Sequence, residues 1–194
     1  MAKPLSIYCM SDTKKEVREV LRGVLMAILL YFVIQISLTV ATGVDSPISV
    51  VISGSMDHHG TGFEDWWSEK SDEYLPFGIS KVEFATFPHR DGFERGDILL
   101  VSGVNTDDII IGDVIVFSRD TDEIPVVHRV VEIFEHEGVR YFLTKGDFNT
   151  VADNYHSNSY LGVDESRVIG EVSKVIPNVG NITLWFRGLL GNEA

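Results

Sequence analysis

Several hydrophobic patterns follow one another along the chain. Residues 11–22 mix charged and apolar positions like a capped helix start, with the charges on one face. The next 22 residues, Gly23 to Val44, hold no charge at all. A helix needs about 20 apolar residues to span a bilayer core, so this stretch predicts a retained transmembrane helix. A cleavable secretory signal would have a shorter apolar region, about 7–15 residues. Beyond it, Ile48-Ser49-Val50-Val51-Ile52 reads as a short strand that runs into the small-residue turn Ser53-Gly54-Ser55-Met56.

The stretch from Asp57 to Glu94 is the least regular. Its 38 residues carry nine acids, three Lys/Arg and eight aromatics, with breaks at Pro76 and Pro88. A loop-rich insertion is expected there rather than a second domain. The pair Trp66-Trp67 suits either a membrane interface or packing of the insertion onto the main domain. From Arg95 the pattern turns to β. Strands are expected at 97–101, 114–117, 126–134, 141–144 and 167–176, each Val/Ile-rich and bounded by Gly, Asp or Asn turns. The fold class that follows is mainly β, a compact antiparallel β-domain behind one N-terminal transmembrane helix. The last residues, 178–194, are apolar in patches but broken by Arg187, and suit either an interfacial segment or a final strand and tail.

Charge sharpens this picture. The formal net charge is -13, which excludes nucleic acid as a natural partner. Residues 1–22 nevertheless carry a net +2, leaving -15 for the rest. Basic residues in front of a membrane helix place the N-terminus in the cytoplasm. The expected organisation is a cytoplasmic segment at 1–22, a transmembrane helix at 23–44 and an extracytoplasmic β-domain at 45–194 with an insertion at 57–94. A lone cysteine, Cys9, rules out a disulfide within the chain. His58, His59 and His89 lack the carboxylate or cysteine pattern that completes a metal site, so they are expected at the solvent-exposed surface.

Three stretches offer acyl-transfer chemistry. A small-residue turn after a strand can hold the Ser55 hydroxyl clear of the backbone and aim neighbouring N–H groups at one point. His128 lies in Val126-Val127-His128-Arg129-Val130-Val131, where period two puts Val126, His128 and Val130 on one face. It is the lone ionisable group on that face, a place for an imidazole that takes a proton. Asp147 and Asp153 follow a strand in one polar loop, where one could orient an imidazole and the other brace the loop.

SGSM at 53–56, RGDILLV at 95–101, GDVIVF at 112–117, VVHRVV at 126–131 and KGDFNTVAD at 145–153 stand in the order of the conserved boxes of signal peptidase I. Together with the apolar segment in front, the chain resembles the archaeal and endoplasmic-reticulum branch of that family, which has histidine where the bacterial branch has lysine. The resemblance implies a membrane-anchored serine endopeptidase that removes signal peptides after Ala-x-Ala sites and uses no cofactor or metal. It implies Ser55 as nucleophile, His128 as general base and Asp153 as the acid orienting His128. Asp147 would support, with the two acids exchangeable, and the Ser53 hydroxyl would join the Ser55 N–H in the oxyanion hole. Precursor proteins, the lipid bilayer and the secretion translocon would be the partners.

Two features depart from the family pattern. Asp57-His58-His59 replaces the usual Glu-Pro and opens the long insertion, and Phe148 stands where the family has Asn. Two competing classes remain. One is a serine/lysine protease of the same fold with Lys145 as base; the other is a non-catalytic membrane-anchored β binding module.

Overall fold

The computed structural model describes residues 6–119, 124–153 and 162–178, with side chains from Lys14 onward. The chain divides into two compact units between Ala41 and Thr42. The first is a single helix, α1, over Ser6–Thr42. The helix start expected near residue 11 and the apolar segment beginning at Gly23 are thus one continuous element. No proline lies within it to interrupt the backbone ladder. Among the described residues it is the one helix long and apolar enough to cross a membrane, over Lys14–Thr42. Among the described residues its leucine, isoleucine, valine and phenylalanine side chains are exposed, apart from the half-buried Leu38.

The second unit is built on a seven-stranded sheet. Its strands are β1 (Ile48–Val50), β2 (Ile98–Ser102), β3 (Val114–Phe117), β4 (Val126–His136), β5 (Val139–Lys145), β6 (Val163–Asp164) and β7 (Val168–Ile176). They are ordered β1-β2-β7-β3-β4-β5-β6, and every neighbouring pair is antiparallel. The mainly β, antiparallel domain read from the sequence is what the structure shows. β4 and β5 run longer than their apolar cores because Glu137-Gly138 turns tightly with both residues at positive φ, 51° and 77°. A two-residue turn of that kind matches the strand twist and lets pairing continue to His136↔Val139. The two-residue β6 was not expected, being too short to carry an alternating pattern.

Because β1 pairs directly with β2, everything between them must leave the sheet and return to the same place. The neck of this excursion is closed by backbone bonds from Val51 N to Asp97 O and Gly96 N to Val51 O, both 2.9 Å, then from Phe93 N to Met56 O at 3.0 Å. Beyond the neck, residues 57–94 are more regular than expected. They form helices α2 (Phe63–Lys70) and α3 (Lys81–Phe84), with single 3-10 turns at Ser71–Glu73 and Leu75–Phe77 between them. Ser80 caps α3 by accepting from Glu83 N.

Aromatic burial holds this segment to the sheet. Trp66, Trp67, Tyr74, Ile79 and Phe84 form one cluster with Val131 of β4 and Leu143 of β5. The tryptophan pair, left open between membrane interface and packing, is buried at 3% and 6% exposure and packs the segment onto the strands. Each such ring contributes about 1.5–3 kcal/mol of transfer free energy. A second cluster joins Val51 and Met56 to β2, β3 and β7, and a third joins Ile115, Phe117, Val130 and Phe142 on the other face. The central strands are therefore covered on both sides.

Candidate active site

The turn at Ser53–Met56 is held from two directions. On one side Phe93 N donates to Met56 O. On the other, Phe148 N donates to Ser55 O at 2.9 Å, and Asp147 N points at Met56 Sδ at 3.4 Å. The loop after β5 comes so close that a Cβ at Gly146 would stand 2.7 Å from Ser55 O and 2.7 Å from Asn149 Nδ2. Only glycine fits there. Gly146→Ala is expected to cost about 1–3 kcal/mol through forced backbone movement, read as a lower urea midpoint with unchanged m.

Ser55 and His128 line one cleft of about 640 Å³, together with Ser53, Arg119, Asn149 and Asp153. The Ser53 and Ser55 hydroxyl oxygens are 3.3 Å apart. His128 stands on β4 opposite Ile115 and is buried at 6% exposure. Its Nδ1 contacts Asp153 Oδ2. A carboxylate offers acceptors only, so Nδ1–H is the donor and Nε2 is the nitrogen left to take a proton. Asp153 is in turn fixed by Thr144, whose hydroxyl donates to Oδ2 at 2.8 Å and whose carbonyl accepts from Asp153 N at 2.7 Å. A second apolar groove of about 710 Å³ adjoins the cleft, sharing Ser49, Val50, Ile52, Ile124 and Pro125 with it and reaching Val44.

Asp153 was expected to orient His128, with exchange for Asp147 left open, and of the two the structure brings only Asp153 to His128. Asp147 lies fully buried in a different network. Arg129 donates from Nε to Asp147 Oδ1 at 2.9 Å and from Nη2 to Oδ2 at 2.8 Å. Its other donors reach the carbonyls of Pro88, Gly112 and His89 at 2.7, 2.8 and 2.9 Å. All five guanidinium N–H groups are thereby used. Asp147 also accepts from Tyr74 OH at 2.8 Å and meets His58 Nε2 at 3.1 Å. Burial opposes the Asp147 charge, but Arg129 and the His58 hydrogen bond hold its carboxyl well below the usual range. Burial likewise opposes the Arg129 charge, and Asp147 outweighs it and raises the guanidinium pKa. The Tyr74 phenol is pushed well up, first by burial and then by the neighbouring Asp147 charge.

No protein-family model matches the chain. Among curated proteins it is similar to the signal peptidase complex catalytic subunit SEC11C of Homo sapiens, 31% identical over 149 residues, which is 76% of this chain and 60% of that protein. The corresponding subunit SEC11 of Saccharomyces cerevisiae is 31% identical over 151 residues, 76% of this chain and 70% of its own length. The chain belongs to the signal peptidase I family, in its endoplasmic-reticulum type. It spans 60% of the length of the mammalian signal peptidase subunits it matches.

Within this signal peptidase fold the two departures from the family pattern meet. The Phe148 ring is contacted edge-on by His59 at 4.4 Å, and Lys70 Nζ lies 4.5 Å from its centre. Lys145 does not line the cleft that holds Ser55. It is fully buried, 3.1 Å from Glu73 Oε2 and 4.3 Å over the Tyr74 ring, and burial lowers its pKa despite Glu73.

The histidines expected at the surface divide three ways. His59 is exposed. His58 is 3% exposed, stacked on Trp66 at 3.8 Å and bonded to Asp147, because the returning segment folds its first residues inward. His89 is half-buried, with Nε2 2.8 Å from Val172 O. Sequence reasoning missed Arg129, Tyr74, Thr144 and Asn149. Only Arg129 left a signal, as a charge flanked by valines in a strand whose two faces are both apolar.

Proposed function

We propose that this chain is a membrane-anchored serine endopeptidase that removes signal peptides from secretory precursors, with Ser55, His128 and Asp153 as its triad. The observation that carries the reading is the His128 Nδ1–Asp153 contact at the wall of the cleft that Ser55 also lines. In this mechanism Ser55 Oγ attacks the scissile carbonyl carbon and His128 Nε2 takes the hydroxyl proton. The Ser53 hydroxyl and the Ser55 N–H receive the developing oxyanion. The tetrahedral intermediate collapses, His128 protonates the leaving amine, and an acyl-enzyme on Ser55 remains. Water then attacks the ester with His128 again as base and releases the signal peptide. Asp153 keeps Nδ1 protonated throughout, so that Nε2 is always the exchanging atom.

The apolar groove beside the cleft supports an extended substrate with small apolar residues before the cut, paired along the edge strand β1. The apolar helix α1 supports membrane anchoring, and the basic residues ahead of its apolar part support a cytoplasmic N-terminus with residues 45–194 outside. The lipid bilayer and the secretion translocon fit that setting as partners. Solvation by membrane also accounts for an all-round apolar helix surface that water would not stabilise.

The test uses full-length protein in liposomes and a precursor with an Ala-x-Ala site. Cleavage by wild type and none by Ser55→Ala is the expected result; absence of cleavage by wild type, with and without native membranes, sinks it. Lys145→Met is expected to keep kcat within about tenfold, since Lys145 contacts Glu73 and Tyr74 rather than the cleft. Loss of cleavage in that variant with unchanged folding would move the base from His128 to Lys145.

A further inference from the structure

Residues 57–94 would ordinarily be read as a surface appendage, yet their contacts run inward to the nucleophile. Tyr74 is fully buried and donates its hydroxyl to Asp147 Oδ1 at 2.8 Å. His58 meets the other carboxylate oxygen at 3.1 Å. The backbone around Asp147 then touches the Ser55 turn three times: Asp147 N to Met56 Sδ, Phe148 N to Ser55 O, and the close approach of Gly146. A strand pair alone could hold Asp147 through Arg129. What the segment adds is a second donor on each oxygen of the same carboxylate, Tyr74 beside Arg129 Nε on Oδ1 and His58 beside Arg129 Nη2 on Oδ2.

We propose that Tyr74 is a positioning residue for Ser55, acting through Asp147, and that residues 57–94 are the internal brace of the active site. The proposal rests on the peptidase reading. Catalysis by attack requires the Ser55 oxygen within a few tenths of an ångström of its working place, and a misplacement of about 1 Å can cost about a hundredfold in rate. Tyr74→Phe deletes one hydroxyl and keeps the ring that packs between Trp67 and Phe84, at 5.8 and 4.9 Å between centroids. Loss of the hydroxyl leaves Asp147 Oδ1 to Arg129 Nε alone and lets the 146–148 loop, and Ser55 with it, shift against His128.

The experiment measures kcat, KM and thermal unfolding for full-length wild type, Ser55→Ala, Tyr74→Phe and a Leu75→Ser/Val82→Ser double variant in liposomes. Leu75 and Val82 are 57% and 80% exposed on the same segment and serve as the recognition control. The expected result is a kcat for Tyr74→Phe lowered about ten- to a hundredfold, with KM within about twofold and a folded protein. An unchanged kcat with a lowered melting temperature would mean that Tyr74 only stabilises, and overturns the proposal. A raised KM in the exposed double variant, with kcat intact in Tyr74→Phe, also overturns it and makes the segment a recognition surface. If wild type cleaves and Ser55→Ala does not, but Tyr74→Phe matches wild type, the positioning role falls and the peptidase stands. If wild type cleaves nothing, both fall.

Discussion

Replacing Ser55 or His128 by alanine is expected to lower kcat for precursor cleavage by about 10⁶, and the double variant by no more than either alone. In the proposed triad nucleophile and base act as a unit, so removing one leaves the other with nothing to do. Asp153→Asn is expected to cost about 10⁴, because an amide facing Nδ1 can hold the wrong tautomer and leave Nε2 protonated. The contacts from Thr144 keep residue 153 in place in that variant, so the loss should fall on kcat rather than on folding. Single-turnover cleavage with excess enzyme checks the order of effects. Equal activity of Asp153→Asn and wild type would separate the His128–Asp153 contact from the chemistry.

Removing Asp147 is expected to have the largest effect on stability. Asp147→Asn strands a fully buried guanidinium, and breaking a buried pair from one side costs about 3–5 kcal/mol. Replacing both partners by apolar residues is not an escape here. The carbonyls of Pro88, Gly112 and His89 and the Tyr74 hydroxyl would lose their partners as well. The pH dependence has a definite sign. Asp147 is held below its ordinary pKa in the folded protein, so it stabilises fully above the unfolded value of about 3.9 and loses that contribution as pH falls toward the folded value. Urea unfolding of wild type should weaken below about pH 4 with a slope approaching 1.4 kcal/mol per pH unit for this proton, and Asp147→Asn should lack that component. Asp113 and Glu171, both raised by burial, titrate at higher pH with the opposite sign. An identical acid profile in wild type and variant would remove Asp147 from the linkage.

The strands were legible because each carries a β-branched run between turn residues, and six of the seven were placed within a few residues. β1 was read two residues too long, since Val51 and Ile52 bend away at the neck where pairing passes to Gly96 and Asp97. β6 was invisible at two residues. Residues 57–94 read as loops because α2 and α3 are short, and their aromatic side chains find their packing partners only on distant strands, at Val131 of β4 and Leu143 of β5. His58 was misread for the same reason: its neighbours Gly60, Thr61 and Gly62 look like surface, and what buries it is Trp66 and Asp147.

By itself the sequence determined the apolar helix, the β class and the positions of Ser55, His128, Asp147 and Asp153. Local pattern suffices for the helix and the β class, since a strand's alternation and a charge-free run are properties of neighbouring residues; the four site positions were singled out by the resemblance of the five boxes to signal peptidase I. The resemblance pointed to Asp153 and left exchange with Asp147 open; the tertiary structure brings Asp153 alone against His128. Asp147 and Asp153 sit six residues apart in one loop, and their partners, Arg129 and His128, are adjacent on one strand and face opposite sides of it. One residue's difference in a strand selects the face on which each partner waits. The inward role of residues 57–94 was equally a tertiary matter. Tyr74 and Asp147 are separated by 73 positions and meet only because β1 pairs with β2 and forces the intervening chain to return.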